Sequence, residues 1–241
     1  KKPLPQKPFP TNFIKITLSP TASGFDDLVD DSGAGLRFVD QILSDEELDI
    51  LYDVLSTIDF EWTYYIVDGK PVRSPRKMAW FAEDSTWTYQ FSRNHIPGLP
   101  ARNMDREVGG ALRVIKELVE KLTSHSFNAI LVNIYEDGSE HSAWHSDDDP
   151  WLGDGSDVNV ASFSLGAARD FYWRSKADHD VTDKVSLTSG SLVEMTGCFQ
   201  LDYQHSIPPV STKKYKRPRI NLTFRNVVDS GITPVKASWG S

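Results

Sequence analysis

The chain has one cysteine, Cys198, in 241 residues. A single thiol excludes an internal disulfide framework and fits a reducing compartment. No apolar run reaches the roughly 18–20 residues that a membrane helix needs, so a helical membrane-spanning protein is excluded. The opening KKPLPQKPFP is basic and Pro-rich and has no apolar h-region, so no signal peptide is visible and the expectation is a protein that is not secreted. Internal repeats are absent, and low complexity is confined to the first residues. With 39% hydrophobic and 25% charged residues the bulk of the chain reads as a folded globular protein.

Net basic charge is lacking too: the formal charge is −8. Its distribution matters more than its sum. Residues 26–61 carry twelve acids against one base, Arg37, whereas residues 203–228 carry six bases (Lys213, Lys214, Lys216, Arg217, Arg219, Arg225) and no acid. Such asymmetry permits a local polyanion site on an acidic protein, and it equally describes a solvated basic loop.

Residues 1–35 read as a tail and irregular approach, and 229–241 as a C-terminal tail. A helix is expected over 44–57, where Ser44 and Glu47 form a capping box and Leu48, Leu51, Tyr52 and Leu55 share a face. A second is expected over 106–122 through Ala111, Leu112, Ile115, Leu118, Val119 and Leu122, weakened at its start by Gly109 and Gly110. After about residue 126 the period becomes two, with strand-like runs at 127–135, 160–166, 169–174, 191–195, 201–206 and 219–227. Short strands without intervening helices point to an antiparallel sandwich or barrel, with a helical N-terminal part packed on it.

The last run, RINLTFR, places Ile220, Leu222 and Phe224 on one face and Arg219, Asn221, Thr223 and Arg225 on the other. This is either an edge strand with a wet face or a guanidinium fork for an anion. Asn133 and Tyr135 share a face in the run 127–135. His145-Ser146-Asp147 puts an imidazole and a carboxylate on one side of an extended segment. With a second, distant histidine this is the facial triad of non-haem iron oxygenases. Of the other histidines, His95 reads as a surface loop, His125 as a cap of the second helix, and His179 as part of an acidic turn. His141 lies too close to Asp137-Gly138 and Pro150 to share a helix with His145. His205, 58 residues after Asp147 and 14 before Arg219, is the best third ligand.

Together, His145-x-Asp147, His205 and Arg219-x-Asn221-x-Thr223-x-Arg225, with Asn133-x-Tyr135 upstream, resemble the AlkB family of Fe(II)/2-oxoglutarate dioxygenases. WHSDDDPWLG (144–153) and PRINLTFR (218–225) resemble its eukaryotic nucleic-acid-repair members. The resemblance covers roughly residues 36–228. It implies an α+β domain: a double-stranded β-helix (jelly-roll) core at about 126–228, N-terminal helices, and a nucleotide-recognition lid at about 60–95. It implies Fe(II) held by His145, Asp147 and His205. The carboxylates of 2-oxoglutarate would be bound by Arg219 and Arg225, with Asn133, Tyr135, Asn221 and Thr223 in support and O2 as oxidant. The implied reaction converts 2-oxoglutarate to succinate and CO2 and removes N-methyl groups from bases such as N1-methyladenine and N3-methylcytosine as formaldehyde.

On the substrate side the resemblance implies that Tyr89, Phe91 and Ser92 line the base pocket and that Asp148 faces the base, with Arg76 and Lys77 suited to phosphates. Tyr89 and Phe91 can equally pack a core. The hairpin 65–70 stands where some relatives carry an apolar finger. Ile66 or Val67 could wedge there, but no aromatic tip is plain, which favours single-stranded nucleic acid over duplex. The implied protein is a monomer of the nucleus, and of the cytoplasm as well. A regulatory RNA demethylase, a zinc hydrolase using the same ligands, and a silent binding module are the alternatives. Two arginines on the last strand count against the hydrolase, which needs no dicarboxylate clamp, and the complete ligand set counts against the silent module.

Overall fold

The structure, a computed structural model, describes residues 24–89, 95–96, 98–105, 108–211 and 217–228. In chain order its first elements are β1 (Asp26–Asp31), β2 (Ala34–Val39), α1 (Asp45–Leu55), β3 (Glu61–Val67) and β4 (Lys70–Ala82). Then come β5 (Thr88–Tyr89), β6 (His95–Ile96), β7 (Leu99–Pro100), α2 (Ala111–Thr123), β8 (Ala129–Tyr135) and β9 (Ser142–His145). The rest are β10 (Val160–Gly166), β11 (Arg169–Ser175), β12 (Thr182–Leu187), β13 (Leu192–Gly197), α3 (Phe199–Asp202), β14 (Tyr203–Ile207) and β15 (Arg219–Arg225).

Two antiparallel sheets make the jelly roll. The larger runs β1-β2-β13-β10-β15-β8-β4-β3-β6 and the smaller β12-β11-β14-β9. One core cluster fills the space between them, joining Met78, Trp80, Leu131, Val193 and Met195 of the large sheet to Phe171, Trp173 and Ile207 of the small one. A second lies on the other face of the large sheet, where Phe81, Ile130, Val132, Phe163, Leu222 and Phe224 pack against α1 and α2. Alternation along each strand therefore feeds both cores at once.

The capping box of α1 is present: Glu47 N–H donates to Ser44 Oγ, and Ser44 N–H donates to Glu47 Oε2 at 3.0 Å. All four residues of its expected apolar face are buried. The second helix starts later than expected. Gly110, at φ +81°, ends a 3-10 turn over Val108–Gly110 before α2 begins; the left-handed backbone breaks the helical run that the apolar spacing suggests.

Two expectations for the N-terminal half are corrected. Residues 26–31, expected as irregular approach, form β1, which pairs with β2. The N-terminal part is not only helical, since it supplies five strands to the large sheet, among them β4 at the flank of β8. Within the stretch expected as the lid, 60–95, Lys77–Ala82 pair with β8, so that β4 runs from the large sheet into the β3–β4 arm. Pro71 and Pro75 hide the long strand β4 from a reading of the sequence. Both fall outside its pairing with β8, and Pro75 lies in the register shift between Trp62↔Lys77 and Tyr64↔Arg73, where a missing N–H costs no ladder bond. Further along, the run 201–206 divides into α3 and β14.

Candidate metal and co-substrate site

β15 is not an edge strand. It lies between β10 and β8, and all seven of its residues are buried. Its register with β8 sets Arg219 opposite Tyr135 and Asn221 opposite Asn133. The polar faces of the two strands therefore form one inner wall, facing the small sheet.

On the small sheet, β9 and β14 pair so that His145 and His205 are register partners. Their ring centroids are 4.2 Å apart. Asp147 follows β9, and one ligand atom from each of His145, Asp147 and His205 lies within 4.8 Å of the others. His145 Nδ1 donates to the Ala143 carbonyl at 2.8 Å, because a carbonyl can only accept. That bond fixes the tautomer and leaves the lone pair on Nε2, which lies 3.9 Å from Asp147 Oδ1. Phe171 stacks on the His205 ring at 5.4 Å.

The electrostatics suit a cation. Burial pushes the His205 imidazole down to about 3, with His145 adding to the shift. Burial lowers His145 as well, against the pull of Asp147. Both rings are neutral near pH 7, as metal ligation requires. Burial raises the Asp147 carboxyl, but Arg225 and the two imidazoles outweigh it and hold the group below the usual carboxylate range. The three residues thus offer two neutral nitrogens and one anionic oxygen, the donor set of a facial iron site.

The opposite wall suits a dicarboxylate. Arg76, Arg219 and Arg225 line the pocket with a single buried carboxylate, Asp147. Arg225 Nη2 donates to Asp147 Oδ1 at 2.8 Å. Arg225 Nε and Nη1 are buried with no hydrogen-bond partner among the described residues. Arg219 donates to Ser164 Oγ at 2.9 Å and to Asn221 Oδ1 at 2.7 Å. Asn221 also accepts from Ser162 Oγ and donates to Thr223 Oγ1. The guanidiniums of Arg76, Arg169 and Arg219 lie 5.1–5.8 Å from the Tyr135 ring centroid. Such an excess of buried positive charge calls for an anion.

The substrate-side expectations fare differently. Arg76 is buried in the pocket, donating to Asn133 Oδ1 at 2.8 Å and to the His141 carbonyl, and is not a phosphate contact on the surface. It alternates with Met78, Trp80 and Ala82 on the inner face of β4, which is the signal that the basic dipeptide masks. Lys77 points the other way, paired with Glu136 at 2.7 Å and 5.4 Å from the Trp62 ring centroid. Tyr89 packs between Trp80 and Trp151, at centroid distances of 4.9 and 5.6 Å, as a core residue. Asp148 is exposed, 3.8 Å from Lys176 Nζ. Phe91 and Ser92 lie outside the described residues, as do Lys213, Lys214 and Lys216. His95 belongs to β6, not to a loop. His125 does not cap α2; its Nδ1 lies 2.7 Å from Glu194 Oε1.

Ser162 and Ser164, Met195 and Gln200 were missed in the sequence. The first two follow from alternation in the run 160–166. Gln200 carries no local signal, since its bond to Asp147 spans 53 residues.

No helix among the described residues is long and apolar enough to cross a membrane. Residues 35–225 match the family model described as the 2OG-Fe(II) oxygenase superfamily. The chain is 35% identical over 177 residues to alpha-ketoglutarate-dependent dioxygenase alkB homolog 3 of Homo sapiens, covering 69% of this chain and 56% of that protein. It is 34% identical over 172 residues to DNA oxidative demethylase ALKBH2 of Homo sapiens, covering 67% and 60%. The chain therefore spans little more than half the length of these curated relatives. The solved structure of OsALKBH1 shares the fold, with a TM-score of 0.53 at 19% identity over 83% of this chain and 100% of that one.

Proposed function

The chain belongs to the 2OG-Fe(II) oxygenase superfamily, and from that premise we propose that it demethylates N-alkylated bases in DNA or RNA, in the repair of alkylation damage. One observation carries the reading: three ligand atoms converge within 4.8 Å, facing a wall that holds three buried guanidiniums. The superfamily uses Fe(II), 2-oxoglutarate and O2. When bound, the metal supplies oxidation of an N-methyl C–H bond, coupled to decarboxylation of 2-oxoglutarate to succinate and CO2; the hydroxymethyl group so formed leaves the nitrogen as formaldehyde.

The chain's own residues bind, orient and exclude. His145 Nε2, Asp147 and His205 would hold the iron, with Ala143 fixing the His145 ring. Arg219, set by Ser164 and Asn221, and Arg225, set by Asp147, would take the two carboxylates of 2-oxoglutarate. Asn133, Tyr135 and Thr223 complete that wall. Phe171, behind His205, keeps the small-sheet side dry, which strengthens every charged contact made there.

The substrate side rests on the arm formed by β3 and β4. Arg73 stacks on Trp62 at 4.1 Å and Tyr64 is exposed beside it, a combination that suits a flipped base and its phosphates. The arm ends in a two-residue turn, Asp68-Gly69, with φ of +49° and +73°. Val67 and Lys70 close it, and no aromatic side chain stands there to fill a gap in a duplex. This supports single-stranded substrate. Asp148 offers an anion beside the metal ligands, suited to a cationic methylated ring. All three iron ligands and both clamp arginines come from one chain, which supports action as a monomer. A nuclear address belongs to the same reading, given substrates in nucleic acid.

The test is formaldehyde and succinate release with Fe(II), ascorbate and 2-oxoglutarate on N1-methyladenine in matched single-stranded DNA, duplex DNA and RNA, with His145→Ala in parallel. The expected result is equimolar release that the variant lacks, greatest on single strands. Succinate without formaldehyde on any of the three would move the substrate elsewhere.

A further inference from the structure

Asp147 is the one member of the triad that lies outside a strand. His145 and His205 are held by the β9–β14 ladder as register partners. Asp147 lies two residues beyond the end of β9, and its buried backbone N–H donates instead to Gln200 Oε1 at 2.8 Å. Gln200 is fully buried, in α3 between β13 and β14. Its amide nitrogen lies 3.4 Å from Sδ of Met195, which lines the pocket. Its backbone carbonyl accepts from Lys176 Nζ at 2.8 Å, and the same ammonium lies 3.8 Å from Asp148 Oδ2.

We propose that Gln200 is the positioning residue of the metal site: it fixes the main chain of Asp147, and through it the direction of the carboxylate, without touching metal or substrate. This rests on the reading of His145, Asp147 and His205 as metal ligands. The chemistry of the side chain explains the choice. The bond to Asp147 needs an acceptor, and a neutral amide provides one while its NH2 faces the soft Met195 sulfur. A carboxylate in that place would set a second negative charge beside Asp147. An apolar side chain would leave a buried N–H without a partner, and the loop would shift to satisfy it. Such a shift matters because Asp147 Oδ1 already accepts from Arg225 on the opposite wall. A small rotation of the loop carries the carboxylate toward the guanidinium and away from the imidazoles.

The experiment is a calorimetric titration of Mn(II), as a stand-in for Fe(II), into the metal-free full chain, with thermal unfolding of the same samples. Gln200→Met keeps the volume and removes the acceptor. Gln200→Asn keeps the amide but stops one methylene short of Asp147. Both are expected to weaken Mn(II) binding about 10- to 100-fold, the range for loss of a group that orients a ligand, with the metal-free midpoint lowered by only a few degrees. A lowered midpoint with a Kd within twofold of wild type would show a merely structural glutamine and overturn the proposal. If Gln200→Met does not fold, Gln200→Asn decides alone. Wild type that takes up no more Mn(II) than His145→Ala removes the metal assignment and the role of Gln200 with it. Binding that is lost in His145→Ala but intact in both Gln200 variants removes the role of Gln200 only.

Discussion

Arg225 Nη2 donates to Asp147 Oδ1 at 2.8 Å, with both side chains 4% exposed. The pair joins the two walls of the barrel, one partner on β15 and the other in the loop after β9. Each group would be costly to bury alone, and each offsets the other's loss of water. Arg225 keeps Nε and Nη1 clear of hydrogen-bond partners among the described residues. The same guanidinium can thus hold a metal ligand in place and present donors to an anion.

Arg225→Met should therefore raise the 2-oxoglutarate KM by about 30- to 5000-fold, since truncating one partner of a buried charged pair costs about 2–5 kcal/mol. Succinate release against 2-oxoglutarate concentration measures it. An unchanged KM removes Arg225 from the clamp.

Metal should stabilise the fold by mass action. At a free Mn(II) concentration of 100 Kd the expected gain is about 2.7 kcal/mol, read as a rise in the thermal midpoint. His145→Ala should abolish that rise and leave the metal-free midpoint near wild type, because the His145 side chain is 22% exposed and its loss opens little core.

Glu194 is fully buried on β13, where it accepts from Arg37 and lies against His125. Glu194→Ala should destabilise the fold by about 1.5–3 kcal/mol, the range for hydrogen bonds to charged groups. Arg37 and His125, each about one-third exposed, recover some hydration, which keeps the loss below that of a fully buried pair. Urea unfolding checks this, and activity per folded molecule should not change.

Gly166, at φ +84°, joins β10 to the turn before β11. An added Cβ would meet the Pro218 carbonyl oxygen at 2.2 Å and the Tyr52 ring at 2.7 Å. Gly166→Ala should cost at least about 1–3 kcal/mol from backbone strain alone, with steric displacement of Pro218, next to Arg219, in addition. A variant as stable as wild type in urea would contradict this geometry.

Much of the site was legible because its residues follow strand period. Arg219, Asn221, Thr223 and Arg225 alternate, as do Asn133 and Tyr135, and spacing alone puts each set on one face. Alternation does not say which face is wet. That depends on whether β15 lies at an edge or between β10 and β8, a matter of pairing partners more than 50 residues away. Arg76 was misplaced for the same reason: Arg76-Lys77 reads as a surface pair until β4 is known to pair with β8. β1 was missed because four aspartates in six residues suppress any strand signal, and pairing with β2 supplies what composition withholds.

The place of β15 in the middle of the large sheet has one more consequence. Its amides and carbonyls are bonded on both sides, to β10 and to β8, so Arg219 and Arg225 cannot be released by fraying of an edge. Exposing them to solvent requires parting the sheet itself. Amide hydrogens of Asn221, Leu222 and Thr223 should accordingly exchange only through global opening, while those of β1 and β6, at the margins of the sheet, exchange through cheaper local excursions. The anion clamp is thereby tied to the most cooperative unit of the domain and persists for as long as the domain stays folded.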